Sequence, residues 1–129
     1  DALPILWTKR ISPRQCSVDA TTVDLAKMGA VLANHGKSPY NGKQLLSAEN
    51  TGKVLAEMAI AGLYDGSGTW LYQVGIPAKS GVGGGILAVV PGKYAVAVYS
   101  PPLDKAGNSV RAQAAIRYIA QETGADLYQ

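Results

Sequence analysis

The chain has 129 residues, 47% apolar and 16% charged, which suits one small domain with a buried core and excludes a chain disordered by composition. Its net charge of +3 comes from 12 basic and 9 acidic residues scattered along the sequence; only Lys9, Arg10 and Arg14 lie close together. A nucleic-acid partner needs many phosphate contacts on one stripe, so none is expected.

The longest apolar run, residues 84–91, is far short of the roughly 20 residues of a membrane span. No basic, apolar, small-residue run opens the chain, so no membrane partner and a cytoplasmic location are expected. A lone cysteine, Cys16, leaves no disulfide framework and no sulfur-ligated zinc site, and reads as a small buried hydrophobe. A lone histidine, His35, leaves no basis for a His-based metal centre or a Ser-His-Asp triad. No metal centre is expected.

In chain order, Thr21 or Thr22 caps a predicted helix whose inward positions are Leu25, Met28, Gly29 and Leu32. It ends at Asn34-His35-Gly36, where Gly36 takes the left-handed conformation and His35 favours the negative end of the helix dipole. Residues 37–44 read as a polar loop. Ser47 caps a second helix with Glu49 in its first turn, the stripe Leu55, Met58 and Ala59, and Gly62 near its end. From about residue 70 the pattern changes to strands: Trp70-Leu71-Tyr72-Gln73-Val74, then 77–82, 86–90 and 94–99, the last two joined by a Pro91-Gly92-Lys93 turn. Tyr94 and Tyr99 read as core or interface. A closing helix starts near Asn108 or Ser109, with Ala112, Ala115, Ile116 and Ile119 on one face and Gly124 past its end. The fold class is therefore α+β, helices followed by an antiparallel sheet and a C-terminal helix, with a sheet edge left open.

Two stretches carry the chemistry-bearing residues. In Gly75-Ile76-Pro77-Ala78-Lys79-Ser80-Gly81-Val82-Gly83-Gly84-Gly85, a lysine, a hydroxyl and glycines on a strand let a ligand lie against the backbone. The Val82 N–H can then face a developing oxyanion while Lys79 supplies a positive field. The competing reading is a bulged strand packed against a neighbour, with Lys79 a surface charge. A phosphate loop fits less well, because the lysine precedes the glycines. In Gly62-Leu63-Tyr64-Asp65-Gly66, Tyr64 is either a proton shuttle beside ammonium groups or an amphipathic cap on a helix end. Asp104 reads as a turn device more than as a catalytic acid.

These stretches, together with Gln15-Cys16-Ser17-Val18, Leu32-Ala33-Asn34, Val89-Val90-Pro91 and Ser100-Pro101-Pro102-Leu103-Asp104-Lys105-Ala106-Gly107-Asn108-Ser109-Val110, resemble the C-terminal part of the serine-dependent glutaminases. The resemblance runs from about Gln15 to the C-terminus and covers roughly the last two fifths of such an enzyme. It implies part of the serine β-lactamase/penicillin-binding fold and the hydrolysis of L-glutamine to L-glutamate and ammonia through a serine acyl-enzyme. It implies that Lys79-Ser80-Gly81 is the strand bordering the active site and that Val82 gives one oxyanion amide beside the nucleophile's own. It further implies that Tyr64 is the family tyrosine that helps move protons near the nucleophile, and that no metal or organic cofactor takes part.

The family nucleophile is a serine followed three positions later by lysine. None of Ser12, Ser17, Ser38, Ser47, Ser67, Ser80, Ser100 and Ser109 has lysine there. A second family tyrosine falls at Ser12, with Trp7 as the nearest counterpart if residues 7–14 hold an insertion. The chain is thus expected to be a single C-terminal fragment of a glutaminase-like domain, with residues 1–14 divergent, 15–69 mainly helical and 70–129 sheet plus closing helix. Its expected partners are L-glutamine, the missing N-terminal part and further copies in a homo-oligomer. The rival readings are a non-catalytic interaction module and another penicillin-recognising hydrolase of the same fold.

Overall fold

In the computed structural model, which describes residues 17–129, the first helix begins where capping chemistry puts it. Thr21 accepts from the Asp24 N–H, and the Asp24 carboxylate accepts from the Thr21 N–H at 3.0 Å, so two otherwise orphaned donors are satisfied reciprocally. Helix α1 (Thr22–Ala33) turns Leu25, Gly29, Leu32 and Ala33 inward. Met28 was expected on that face and is 52% exposed instead. The reason lies in the contact: the inward line centres on Gly29, whose missing side chain leaves room for Ala95 and Leu87 of the sheet, and Met28 lies one position off that line. The readings of Cys16 and of residues 1–14, with Trp7 and Ser12, fall outside the described residues.

Helix α2 (Ala48–Ala61) is capped by the Ser47 hydroxyl, which accepts from Asn50 N–H at 3.1 Å. Its stripe is the expected one: Met58 is buried, and Leu55 and Ala59 are half-buried. A short 3-10 turn (Tyr64–Gly66) leads into α3 (Ser67–Val74). Residues 70–74 were expected to be a strand, and here the structure corrects the sequence reading. Ser67, Trp70 and Val74 are buried together, a spacing of three and four that only a helix turns to one side. The Trp70 indole N–H donates to the Ile76 carbonyl at 2.9 Å, and Gly75, at φ +71°, ends the helix in the left-handed conformation. This tertiary bond and stop override the aromatic preference for strand.

Strands β1 (Ala78–Ser80), β2 (Gly85–Val90) and β3 (Tyr94–Tyr99) form an antiparallel sheet in the order β1-β2-β3, with Ala78 opposite Ala88 and Val90 opposite Tyr94. The expected turn closes the β2–β3 hairpin, with Lys93 N–H donating to the Val90 carbonyl and Gly92 at φ +74°. Alternation along β2 feeds two cores. Ile86, Ala88 and Val90 pack with Ala112, Ile116 and Ala120 of the closing helix α4 (Val110–Glu122). Leu87 and Val89 pack with Leu32, Ala33, Leu55 and Met58 from the helical half. Both sheet faces are therefore covered, one by α4 and the other by α1 and α2. Burial of a residue such as Ile86 or Ile116 stabilises the fold by about 1.5–3 kcal/mol. Tyr94 packs against the α4 core, whereas Tyr99 is exposed. Among the described residues β3 pairs only with β2, so its outer edge stays open. No helix among them is long and apolar enough to cross a membrane.

Candidate active site

The site is assembled where α2 runs out against β1. Gly62 follows the last helical residue, and a side-chain carbon there would lie 1.7 Å from the Ala78 carbonyl oxygen. Only glycine lets β1 press this close. The Gly62 carbonyl then accepts from the Ser80 N–H at 2.9 Å and from the Lys79 ammonium at 3.3 Å, fastening strand to helix end.

The chain next throws Tyr64 outward at φ +51°, a left-handed conformation that costs a non-glycine residue about 1–2 kcal/mol. The surroundings impose it. Leu63 N–H donates to the Ser67 hydroxyl at 2.9 Å, that hydroxyl donates to the Tyr64 carbonyl at 2.7 Å, and Gly66 N–H donates to the Leu63 carbonyl at 2.9 Å. The Leu63 side chain is buried beneath. Tyr64 is thus an exposed polar side chain on an over-determined, strained backbone.

Alternation on β1 sends Ala78 and Ser80 inward and Lys79 outward. The Lys79 ammonium sits 4.7 Å from the centre of the Tyr64 ring, a cation–π contact, and also donates to the Ser80 carbonyl. Lys79 and Tyr64, separated in sequence by helix α3, thus share one face. Ser80 does not join them: its side chain is buried, and its hydroxyl has no partner among the described residues. Gly81 turns the chain out of the strand, its N–H donating to the Gly85 carbonyl and its carbonyl accepting from Gly84 N–H, each at 2.9 Å. The Val82 amide, in the exposed tip of that turn, makes no hydrogen bond to any described residue.

A third segment, residues 100–109, closes on both. Ser100 N–H donates to the Gly84 carbonyl at 2.9 Å, and Gly84, at φ +103°, has no room for a side chain against the Ser100 carbonyl. Gly107, at φ +91°, is seated between Val82 and Tyr64; a side-chain carbon there would be 3.5 Å from Val82 Cγ1 and 3.9 Å from Tyr64 Cε2. Neither Gly107 nor its neighbour Asn108 stands out in the sequence as a site residue. The Asp104-to-Gly107 turn is visible there, but not the surface it turns toward.

Asp104 shapes this segment. One carboxylate oxygen accepts from the Ala106 and Asn108 N–H groups at 2.9 and 3.0 Å, and the other from Gln113 Nε2 at 2.9 Å. All of these are turn and helix-start contacts, in keeping with the structural reading of Asp104. The Asn108 N–H and then the Gln113 amide hold its carboxyl below the ordinary 3.8. A depressed folded value means that the ion contributes stability above the ordinary value and loses it as pH falls through and below it. Asp104→Asn is therefore expected to flatten the fall in urea stability below pH 4, and matching slopes for variant and parent would contradict this. The effect is small, because the group is well solvated.

A groove of about 550 Å³ lined by Val23, Lys27, Ala30, Tyr40 and Tyr94 contains none of Tyr64, Lys79 and Val82. This groove lies apart from the strained tyrosine, the Lys79 ammonium and the Val82 turn.

A family model described as Glutaminase matches residues 10–128. A glutaminase of Colwellia psychrerythraea (strain 34H / ATCC BAA-681) is 61% identical over 118 residues, 92% of this chain and 38% of that protein. Among solved structures, the probable glutaminase ybaS superimposes with a TM-score of 0.87 at 51% identity, covering 90% of this chain and 38% of that one. The Bacillus subtilis glutaminase YbgJ, as its covalent complex with 5-oxo-L-norleucine formed by reaction with 6-diazo-5-oxo-L-norleucine, gives 0.85 at 34% identity, over 88% of this chain and 41% of that one. The chain thus spans about two fifths of the length of the relatives it matches, and its helices, antiparallel sheet and closing helix follow the β-lactamase-like arrangement of those structures.

Proposed function

From the chain's membership of the glutaminase family, we propose that it forms one wall of an amidohydrolase site that converts L-glutamine to L-glutamate and ammonia. The observation that supports this reading is the Lys79 ammonium on the Tyr64 ring, with the Val82 and Tyr64 side chains either side of Gly107 and a Val82 amide that bonds no described residue. The attacking serine comes from polypeptide outside these residues, since no serine here is followed by lysine at the third position.

The serine oxygen adds to the side-chain carboxamide carbon, and the carbonyl oxygen gains the negative charge. The Val82 N–H, with the nucleophile's own amide, stabilises that oxyanion. Tyr64 carries the serine proton toward the leaving nitrogen, with the Lys79 ammonium supplying positive field beside the phenol. Ammonia departs, leaving a glutamyl ester. Water then adds to the ester carbon, glutamate is released and the serine regains its proton. The relative that reacts covalently with a 5-oxo amino acid supports the substrate class, because that ketone carbon corresponds to the carboxamide carbon of glutamine. Association into a homo-oligomer belongs to the same proposal.

The test compares the complete protein with this chain alone. Ammonia release from L-glutamine is expected from the former and not from the latter. After treatment with 6-diazo-5-oxo-L-norleucine, peptide mass mapping should put the adduct on a serine outside residues 1–129. Turnover by the isolated chain, or an adduct on one of its own serines, would refute the shared-site reading, and an inactive complete protein would refute the activity. Labelling by a β-lactam instead would favour a penicillin-recognising hydrolase.

A further inference from the structure

We infer that Asn108 is a positioning residue, which fixes the strained backbone of Tyr64 relative to the Val82 turn; the inference rests on the glutaminase reading of that site. Asn108 is 1% exposed, and its Nδ2 donates at 3.0 Å to the carbonyl of Leu63, the residue immediately before Tyr64. Two features show that hydrogen-bond satisfaction alone does not account for this side chain. The Leu63 carbonyl already accepts from the Gly66 N–H, so it does not need Asn108 in order to be paired. The other amide atom, Asn108 Oδ1, is buried with no partner among the described residues, a loss that an apolar side chain of similar volume would avoid. What the amide adds is a tie between segments 45 residues apart.

The tie has a defined origin. Asp104 grips the Asn108 N–H at 3.0 Å, and Asp104 N–H in turn donates to the Asn108 carbonyl at 2.8 Å. Ser109, next in the chain, caps α4 and donates to the Ser100 carbonyl at 2.6 Å. Ser100 is bonded to Gly84, in the turn that presents Val82. One rigid segment therefore holds the tyrosine arm through Asn108 and the oxyanion turn through Ser100, with Gly107 between their side chains. A proton carrier and an oxyanion donor must keep a fixed spacing to act on one carbonyl. The Asp104–Ser109 segment is the part of the fold that sets it.

The experiment is a double-mutant cycle in the complete protein, with Asn108→Ala, Tyr64→Phe and the pair. Asn108→Leu serves as a second variant that fills the volume without the donor. Asn108→Ala is expected to lower kcat for L-glutamine about 10- to 100-fold with KM within about twofold, and to cost less than about twofold further in the Tyr64→Phe background. In protein labelled with ¹³C at tyrosine Cζ, the Tyr64 resonance should move in both Asn108 variants. Equal losses in the two backgrounds, or an unmoved Tyr64 resonance in a folded variant, would overturn the assignment. If the parent releases no ammonia, the glutaminase reading falls by itself, and the Tyr64 resonance still decides whether Asn108 positions that arm.

Discussion

Replacing Tyr64 by phenylalanine in the complete protein is expected to lower kcat for L-glutamine by about 10²–10⁴-fold, the range spanned by removal of a positioned proton carrier. Thermal stability should barely change, with a midpoint within about 2 °C of the parent. The two expectations separate because of how the residue is held. Its hydroxyl bonds no described residue, while its position comes from backbone bonds to Ser67, Gly66 and Asn108 and from the ring lying on the Lys79 ammonium. Phenylalanine keeps all of these and loses only the oxygen. Tyr64→Gly adds a useful contrast, since glycine adopts φ +51° without strain. It should lose at least as much activity while relieving about 1–2 kcal/mol of backbone cost, offset in part by the freedom glycine gains in the unfolded chain. Steady-state kinetics beside thermal denaturation check both variants. A Tyr64→Phe enzyme within tenfold of the parent would remove Tyr64 from proton transfer.

The parts of this fold that were legible in the sequence are those that local chemistry decides. Thr21, Ser47 with Glu49 in the first turn, and Ser109 before an apolar periodic run each start a helix because a side-chain oxygen satisfies an N–H group three residues on. Pro91-Gly92-Lys93 makes its hairpin by the same local logic. Residues 70–74 were misread because five residues with two aromatics fit either period, and what decides the matter is the Trp70 indole reaching the Ile76 carbonyl. The site shows the same division. Tyr64, Lys79 and Val82 stand out one by one, through a glycine-rich strand and a turn, and the family resemblance assigns them to one site. Their arrangement depends on Gly62, where the absence of a side chain matters, on the left-handed turn at Gly107, and on Asn108, whose partner is 45 residues away. No spacing rule reports an absence of atoms between distant segments.

Gly62→Ala is the substitution expected to damage the fold most for the fewest atoms added. The new methyl carbon would lie 1.7 Å from the Ala78 carbonyl and 2.2 Å from the Met58 carbonyl, and both are backbone atoms that cannot rotate aside. Either α2 or β1 must move by more than an ångström. Both are committed elsewhere, α2 through Met58 in the core beneath the sheet and β1 through its register with β2. Overpacking in a well-packed region costs about 1–3 kcal/mol, and backbone obstruction belongs at or above the upper end. The conformation at Gly62 is itself helical, with φ −72°, so none of this cost reflects a glycine-only backbone. If the variant folds, the displacement falls on the bonds from Ser80 N–H and the Lys79 ammonium to the Gly62 carbonyl, and so on the placement of Lys79 beneath Tyr64. Chemical denaturation of the complete protein should therefore show a loss of about 3 kcal/mol or more, with activity falling further than the unfolded fraction explains. A loss below about 1 kcal/mol would mean that α2 and β1 separate easily, and the close approach of strand and helix end would then not be what brings Lys79 to the tyrosine.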